Sequence, residues 1–523
     1  MQDLNEVSQM KEQLEKDLKK YFNYDSFRIG QKEIIYDIMQ GKDVLGILPT
    51  GSGKSICYQL PAMLLEGVTV VVSPLISLMI DQVKQLKAIN YKSVVALNSF
   101  MNPMERKRVY HQLHTYKLIY ISPELLQHES LLKLLDRTKI SLFVIDEAHC
   151  ISQWGHEFRP DYLKLDATIE RLNNPTTLAL SATATRHVQT DIINALRKPH
   201  ISKQIYPMDR ANIAFNVKEV QDDQEKISTI TNLLKQYHVP VLIYFSSRRM
   251  AENISILLSE RLPKKRAAFY HGGMEQMDRI AIQQQFMNDH LDIICCTSAF
   301  GMGINKNNIR LIIHYHFPLQ IESFIQEIGR AGRDGRSSVG LLLMSPNDVH
   351  LPVQIIKNEL PSENQLTFIF KQLANLYHRV GSITIHDKQI ENLFEINETQ
   401  WRFLHYQFEK HDMIVQHKIF YQEELWIEAY QKIKTRIKQR SILKEQKLTE
   451  MLDWIQQREC LRYHLYKNFQ SNYTEPTAQC CSNCGFSWST WNPEQIDIQL
   501  DVPTTWEEKL QHLLLIGETN GSK

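Results

Sequence analysis

Six residues, Thr50-Gly51-Ser52-Gly53-Lys54-Ser55, constrain this chain more than any other stretch. They follow Asp43-Val-Leu-Gly-Ile-Leu-Pro, which reads as a buried strand, and lead into Ser55 to Leu60, which reads as the start of a helix. A strand that turns through glycines into a helix aims successive backbone N–H groups into one concavity, at the positive end of the helix dipole. Such a concavity suits phosphate oxygens. Lys54 adds a point charge for the β- and γ-phosphates, and the Ser55 hydroxyl can sit on Mg²⁺. Strand–loop–helix units of this kind build parallel sheets, so the first part of the chain is expected to be α/β.

A second run, Ser141-Leu-Phe-Val-Ile-Asp146-Glu147-Ala148-His149, is apolar and ends in two acids. The carboxyl end of a buried parallel strand is where open α/β sheets place ligand chemistry. Alone, an acidic pair there is as readily a solvated loop or a helix cap. Downstream of a phosphate loop, Asp146 is expected to hold Mg²⁺ and Glu147 to orient and deprotonate a water. A third run, Gln326-Glu-Ile-Gly329-Arg330-Ala-Gly332-Arg333-Asp334-Gly335, sets two arginines three apart, which puts both guanidinium groups on one side of a helical turn. Their planar forks suit a γ-phosphate in transfer, or else structural ion pairs. Together the three runs describe an NTP-hydrolysing motor. Between the acids and the next strand, Trp154, His156, Phe158 and Arg159 interleave aromatic and basic side chains. That pattern suits base stacking and backbone contact, or a packed aromatic anchor for the loop.

With 523 residues and 43% apolar content, the chain can bury several cores. A net charge of +1 advertises no nucleic-acid partner, and excludes none, since a motor can concentrate charge in one groove. No apolar run is long enough to span a membrane, and Met-Gln-Asp-Leu-Asn-Glu carries no secretory signal. Four of the 8 cysteines crowd near the C-terminus, which points to metal rather than a disulfide framework. A cytoplasmic protein is expected.

Short apolar strands (Thr69-Val-Val-Val, Leu118-Ile-Tyr-Ile, Phe143-Val-Ile, Leu178-Ala-Leu) alternate with amphipathic stretches over residues 1–208, and the style repeats over 209–345 with Val241-Leu-Ile-Tyr-Phe, Ile293-Ile-Cys-Cys and Leu311-Ile-Ile-His. Two parallel-sheet units follow, the second without a phosphate loop. Over 346–450, Leu366 to Ala374, His386 to Phe394 and Thr399 to Asp412 read as helices, while Met413-Ile-Val, Ile419-Phe-Tyr and Leu425-Trp-Ile alternate like a wing. A winged-helix-like accessory domain is expected there. The basic stretch Lys432, Lys434, Arg436, Lys438, Arg440 suits phosphates or simply a solvated helix face. Residues 451–487 form a small cysteine-containing helical subdomain, and 488–523 a C-terminal tail.

The chain resembles the RecQ family of superfamily-2 DNA helicases, and most of all its bacterial RecS-type branch. The matching residues run in order from Tyr24…Phe27-Arg28-Ile-Gly30-Gln31 through Leu48-Pro-Thr-Gly-Ser-Gly-Lys-Ser55, Val72-Ser-Pro-Leu-Ile-Ser-Leu-Met-Ile-Asp-Gln-Val83, Tyr120-Ile-Ser-Pro-Glu124, Asp146-Glu-Ala-His-Cys150 and the aromatic loop. They continue through Leu180-Ser-Ala-Thr-Ala-Thr185, Tyr244-Phe-Ser-Ser-Arg248, Tyr270-His-Gly-Gly273, Ala299-Phe-Gly-Met-Gly-Ile-Asn-Lys306 and the 326–335 run. Leu48, where a generic phosphate loop has glycine, fits the superfamily-2 variant.

The resemblance implies two RecA-like lobes with ATP·Mg²⁺ between them and ATP-dependent 3′→5′ unwinding of DNA. It implies that Tyr24, Arg28 and Gln31 hold the adenine, that Thr50 to Ser55 hold the phosphates, and that Ser55 and Asp146 hold Mg²⁺. Lys54, Asp146, Glu147, Arg330 and Arg333 would carry the chemistry. His149, Ser181, Thr183 and Gln326 would couple the lobes, and Trp154, His156, Phe158 and Arg159 would sense DNA. Single-stranded and duplex DNA are the implied partners, with single-strand-binding or recombination proteins beside them at the nucleoid. The C-terminal half departs from the family: the wing-like segment precedes the cysteines instead of following them. Cys460-Leu-Arg462 resembles the start of the family's zinc subdomain and Cys481-Ser-Asn-Cys484 its knuckle, but the last cysteine falls at Ser487. Cys480 then becomes the candidate fourth ligand of a structural Zn²⁺, the alternative being a metal-free subdomain with reduced thiols. His316 stands where the family has an aspartate. Two rival functions remain at this point: an ATP-gated DNA-binding or annealing factor with weak unwinding, and an RNA helicase, against which the aromatic loop and motif wording argue.

Overall fold

The computed structural model describes residues 2–98, 101–152, 159–301, 306–381, 394–415, 418–470 and 473–495. Trp154, His156 and Phe158, and all but the last residue of the helix expected over 386–394, lie outside the described residues.

Seven parallel strands build the first sheet: β1 Val44–Ile47, β2 Val68–Val72, β3 Val94–Leu97, β4 Leu118–Ile121, β5 Ile140–Ile145, β6 Thr176–Ser181 and β7 Ser202–Ile205, in the order β3-β4-β2-β5-β6-β1-β7. Six parallel strands build the second: β8 Ile213–Glu219, β9 Val241–Tyr244, β10 Ala267–Tyr270, β11 Ile293–Cys296, β12 Leu311–His314 and β13 Ser338–Met344, ordered β10-β11-β9-β12-β13-β8. Helices cover both faces, so β1, β2, β9 and β11 are buried along their whole length and every residue in them but Gly46 and Thr69 is a buried hydrophobe, as parallel sheets require. These are the two RecA-like lobes. In both sheets the strand order reverses beside a central strand, which opens a crevice at the carboxyl ends, where ligands bind in such sheets.

The accessory region holds the helices Glu363–Val380 and Glu398–Lys410 and a small antiparallel pair, β14 Ile414–Val415 with β15 Lys418–Ile419. Both helices begin with a capping box, at Ser362/Gln365 and Asn397/Gln400, which satisfies orphan N–H groups at each start. Leu425-Trp-Ile is not a strand. It lies in the first turns of one continuous helix, Glu423–Ile455, of 33 residues and so about 50 Å long at 1.5 Å per residue. Trp426, Ala429 and Ile433 fall on one face and enter the accessory core with Phe370, Trp401 and Phe408, and that 3.6-residue periodicity overrides the local alternation.

The far end of this helix belongs to lobe 2. Leu448, Met451, Trp454 and Ile455 join the main core, Trp454 packs tilted against Phe324 with ring centres 4.6 Å apart, and Lys447 pairs with Glu322 at 2.7 Å. The helix therefore crosses the expected boundary at 450 without a break. The basic stretch along it is largely paired: Lys432 with Glu428, Lys434 with Glu363, and Arg440 and Lys444 with Glu359. The cysteine subdomain packs on β8, where Phe215 donates its N–H to the Cys480 carbonyl at 3.0 Å. The start of the expected tail is also part of lobe 2, because Trp491 is buried 4.7 Å from Tyr237 and the Tyr237 hydroxyl donates to the Trp488 carbonyl at 2.7 Å. Among the described residues no helix is long and apolar enough to cross a membrane.

Trp454→Ala is expected to cost about 3–5 kcal/mol of stability, the usual range for truncating a buried tryptophan. A urea midpoint followed by near-UV circular dichroism checks this, and an unchanged midpoint would contradict the docking of the long helix on lobe 2.

Candidate functional site

The loop 50–55 leaves β1 with Gly51 at φ 83° and Gly53 at φ 74°, a left-handed region that other residues enter only under strain. Two side chains from the preceding segment brace it. Arg28 donates to the Gly51 carbonyl at 2.6 Å, and Gln31 donates to the carbonyls of Ser52 and Gly53 at 2.8 and 2.9 Å. Arg28 and Gln31 therefore sit on the loop itself, while Tyr24 is half exposed and stacks on Phe22 at 6.4 Å.

β5 delivers Asp146 and Glu147 to the same place. Lys54 Nζ lies 3.9 Å from Glu147. Burial and the neighbouring Glu147 push the Asp146 carboxyl up to about 6, as expected for two acids in a dry crevice. Glu147 takes a left-handed conformation, φ 49°, at the turn that follows the strand. His149 is fully buried, with Nδ1 3.4 Å from Glu147 and 3.0 Å from Ser181 Oγ, and Ser181 faces the Thr183 carbonyl at 3.5 Å. Glu147, His149, Ser181 and Thr183 thus form one polar chain at the ends of β5 and β6. Tyr162, unremarked in the sequence, supports it by donating to the Asp146 carbonyl at 3.1 Å.

Lobe 2 brings the arginine run onto this loop. A Cβ at Gly51 would stand 2.9 Å from Arg333 Cγ, and one at Gly329 would stand 2.8 Å from Thr50 Cβ. Arg330 is buried, donates to the Gly301 carbonyl and neighbours Tyr244. Burial, then Arg330 and Arg210, push the Arg333 guanidinium down to about 9, so the cleft holds concentrated positive charge. Gln326 is buried in the helix Ile321–Ile328 that carries the run.

Arg159 lies elsewhere, in a groove of about 960 Å³ between lobe 1 and the accessory helix Glu398–Lys410. There it pairs with Glu124 at 3.6 Å, and Lys164 pairs with Glu409 at 3.6 Å. The four C-terminal cysteines do converge: Cys460, Cys480, Cys481 and Cys484 place their sulfurs within 4.8 Å of one another. A tetrahedral Zn²⁺ with Zn–S bonds of about 2.3 Å needs S···S distances of about 3.8 Å, so the donor set fits that ion. Ser487 is outside the cluster, its N–H held by Gln479 at 2.6 Å.

The DEAD/DEAH box helicase family model matches residues 28–191, and that of the helicase conserved C-terminal domain matches residues 225–335. The protein named "Probable ATP-dependent DNA helicase RecS" from Bacillus subtilis is 40% identical over 513 residues, 97% of this chain and 99% of that protein. The chain belongs to the RecQ family of helicases, in its RecS-type branch. The ATP-dependent DNA helicase RecQ of Haemophilus influenzae is 42% identical over 63% of this chain, which spans about half of that relative's length (53%). Among solved structures, the Mycobacterium smegmatis helicase Lhr bound to single-stranded DNA and AMP-PNP has the same fold, with a TM-score of 0.55 at 18% identity, over 79% of this chain and 61% of that one.

His316, the departure from the family's aspartate, accepts a hydrogen bond from the Ser246 N–H at 3.3 Å, and burial, then Lys226, pulls its imidazole down to about 4. The fold thus favours the neutral ring. Below the ordinary histidine value the unfolded chain takes up a proton that the folded chain refuses, so stability falls as pH drops from about 6.5 toward 4. His316→Asn, which keeps an acceptor for Ser246, is expected to flatten the change in urea midpoint between pH 7 and pH 5. An equal loss in both proteins would show that other groups cause it.

Proposed function

We propose that this protein is an ATP-dependent DNA helicase that moves 3′→5′ along one strand and separates the duplex ahead of it, in recombination, repair or replication-fork maintenance. The observation that carries this reading is the seating of lobe 2's arginine run on lobe 1's phosphate loop, with a Cβ position on Gly51 only 2.9 Å from Arg333. A nucleotide in the loop touches both lobes, so its hydrolysis changes what holds the cleft closed.

The residues fit a magnesium nucleotide. Ser52 Oγ is buried without a hydrogen-bond partner among the described residues, in a loop whose Lys54 lies 3.9 Å from Glu147 and whose Gly51 is approached by Arg28, Arg210 and Arg333. Ser55 and Asp146 would hold Mg²⁺, which would supply charge to the β- and γ-phosphate oxygens. Lys54 would hold the same oxygens from the loop side. Glu147 would orient the attacking water and accept its proton. Arg333 and Arg330 would stabilise charge spreading over the transferred group. The chain Glu147–His149–Ser181–Thr183 would pass the state of the γ-phosphate to the DNA face. Arg159 there, with Trp154, His156 and Phe158, would read strand occupancy by stacking and phosphate contact. The winged-helix-like accessory region would meet the duplex. Single-strand-binding or recombination proteins are the proposed partners, and the cytoplasm, at the nucleoid, the proposed location. Zn²⁺ on Cys460, Cys480, Cys481 and Cys484 would hold the subdomain closed.

Two experiments test this. A 3′-tailed duplex is expected to be unwound with ATP and a 5′-tailed one not, with activity lost in Lys54→Ala and hydrolysis lost, but ATP still bound, in Glu147→Ala. DNA-stimulated hydrolysis without strand separation would instead indicate the ATP-gated binder or annealing factor. For the metal, one zinc per chain is expected on thiol-blocking release into a chromogenic chelator, falling sharply in Cys480→Ser. Zinc-free purified protein, or full zinc retention in that variant, would remove Cys480 from the ligand set.

A further inference from the structure

Arg210 lies outside the phosphate loop and the arginine run, yet it touches both. It lies between β7, the last strand of lobe 1, and β8, the first of lobe 2. One guanidinium nitrogen donates to the Thr50 carbonyl at 3.0 Å, in the phosphate loop, and to the Gly329 carbonyl at 3.4 Å, in the arginine run. The other donates to Asn212 Oδ1 at 3.4 Å and to the Gly332 carbonyl. Asn212 repeats the grip, donating to the Gly332 and Arg336 carbonyls, both at 2.8 Å. Gly329, Gly332 and Gly51 leave the space for this: a Cβ at Gly51 would stand 3.1 Å from Arg210, and one at Gly332 would stand 2.4 Å from Asn212.

The linker itself is fixed from behind. Asp209 forms a buried ion pair with Arg462, which also donates to the carbonyls of Arg210 and Ile213. Gln470 accepts the N–H groups of Met208 and Asp209 at 3.0 and 3.2 Å. Arg210 thus reaches into the cleft from an immobilised base. Its hydrogen-bond partners are neutral carbonyls and an amide, while Asp334 and Asp209 offset part of the cost of burying its charge.

We propose that Arg210 is a positioning residue for hydrolysis: by clamping the carbonyls of Thr50, Gly329 and Gly332 it sets the seat of Arg333 over the phosphate loop. Arg210 acts through Arg333, and the inference rests on the ATPase reading above. Removing the clamp leaves the loop, and hence ATP binding, in place, but lets the arginine run drift, and small displacements of a charged donor are costly in turnover.

The test uses the full chain with single-stranded DNA and compares Lys54→Ala, Arg210→Ala, Arg210→Lys, Arg333→Ala and the Arg210→Ala/Arg333→Ala double variant. Three quantities are read: affinity for a fluorescent ATP analogue, kcat for hydrolysis, and Tm. Arg210→Ala is expected to keep its affinity within about threefold and its Tm, while kcat falls roughly 10- to 100-fold, the scale of losing one charge-stabilising donor. Arg210→Lys recovers part of kcat, because an ammonium makes fewer of the same bonds. The double variant is expected to be no slower than Arg333→Ala alone, since residues acting as a unit are not additive. Multiplied losses in the double variant, an unchanged kcat in Arg210→Ala, or a loss confined to affinity would each overturn the proposal. If Arg210→Ala does not fold, Arg210→Lys carries the same comparison, and wild-type kcat in it would equally overturn the proposal. Hydrolysis surviving in Lys54→Ala would instead sink the underlying ATPase reading.

Discussion

Positive charge held in a dry cleft is the constraint around which this molecule is organised. Arg28, Arg210 and Arg333 converge on one glycine-rich turn with Arg330 close to Arg333, and burial together with their mutual repulsion pulls the Arg333 guanidinium far below its ordinary range. Charges in such a place are costly unless paired. Backbone carbonyls meet part of that cost: Gly51 for Arg28, Thr50 and Gly329 for Arg210, Gly301 for Arg330. Carbonyl dipoles satisfy the hydrogen bonds without cancelling the charge. The cleft therefore stays electropositive, and a polyphosphate is the ligand that completes it. The requirement also explains why the two lobes are separate units, since a ligand gripped from two sides can move them relative to each other only if no continuous sheet joins them.

The C-terminal elements act as a brace for the linker between the lobes. Arg462 is completely buried, is paired with Asp209, and stacks over Phe215 at 4.8 Å. It stands two residues from Cys460, so whatever orders the cysteine cluster also orders the base of the linker. The long helix ends in the same region, where the Trp454 indole donates to the Leu461 carbonyl at 3.0 Å. Its other end is embedded in the accessory core. The accessory domain, the cysteine subdomain and lobe 2 are thus mechanically continuous, whereas lobe 1 meets the accessory domain across a groove that the Lys164–Glu409 pair spans. A pair between partly exposed groups contributes little, commonly under about 1 kcal/mol.

The sequence was informative where chemistry dictates residue type and spacing. A phosphate loop needs glycines and a lysine, a metal-assisted hydrolysis needs acids at a strand end, and Arg330 and Arg333 needed only to be three apart to be noticed. Strands buried on both faces, such as Val68–Val72 and Ile293–Cys296, announce themselves as apolar runs. Ser202–Ile205 does not, because it lies on the edge of its sheet and is only half buried. Leu425-Trp-Ile was ambiguous because three residues cannot separate a period of 2 from one of 3.6. Trp488 and Trp491 carried a signal against a free tail, since two large aromatic side chains seldom stay in water without a partner. Arg210, Asn212 and Arg462 were illegible for a different reason: the loop carbonyls and the Asp209 carboxylate that they grip lie 119 residues or more away along the chain, and no local pattern records such a distance.

The order of the C-terminal elements follows the same logic. They hold the linker in place, through Arg462 on Asp209, Gln470 on two backbone N–H groups, and Cys480 on the edge of β8. None of these contacts depends on whether the wing-like segment comes before or after the cysteines in the chain. A helix long enough to span from the accessory core back to lobe 2 lets the segment be threaded first and still leaves the cysteines against the linker. The constraint lies on the position of the brace in space, and the chain order is free to vary as long as that position is kept.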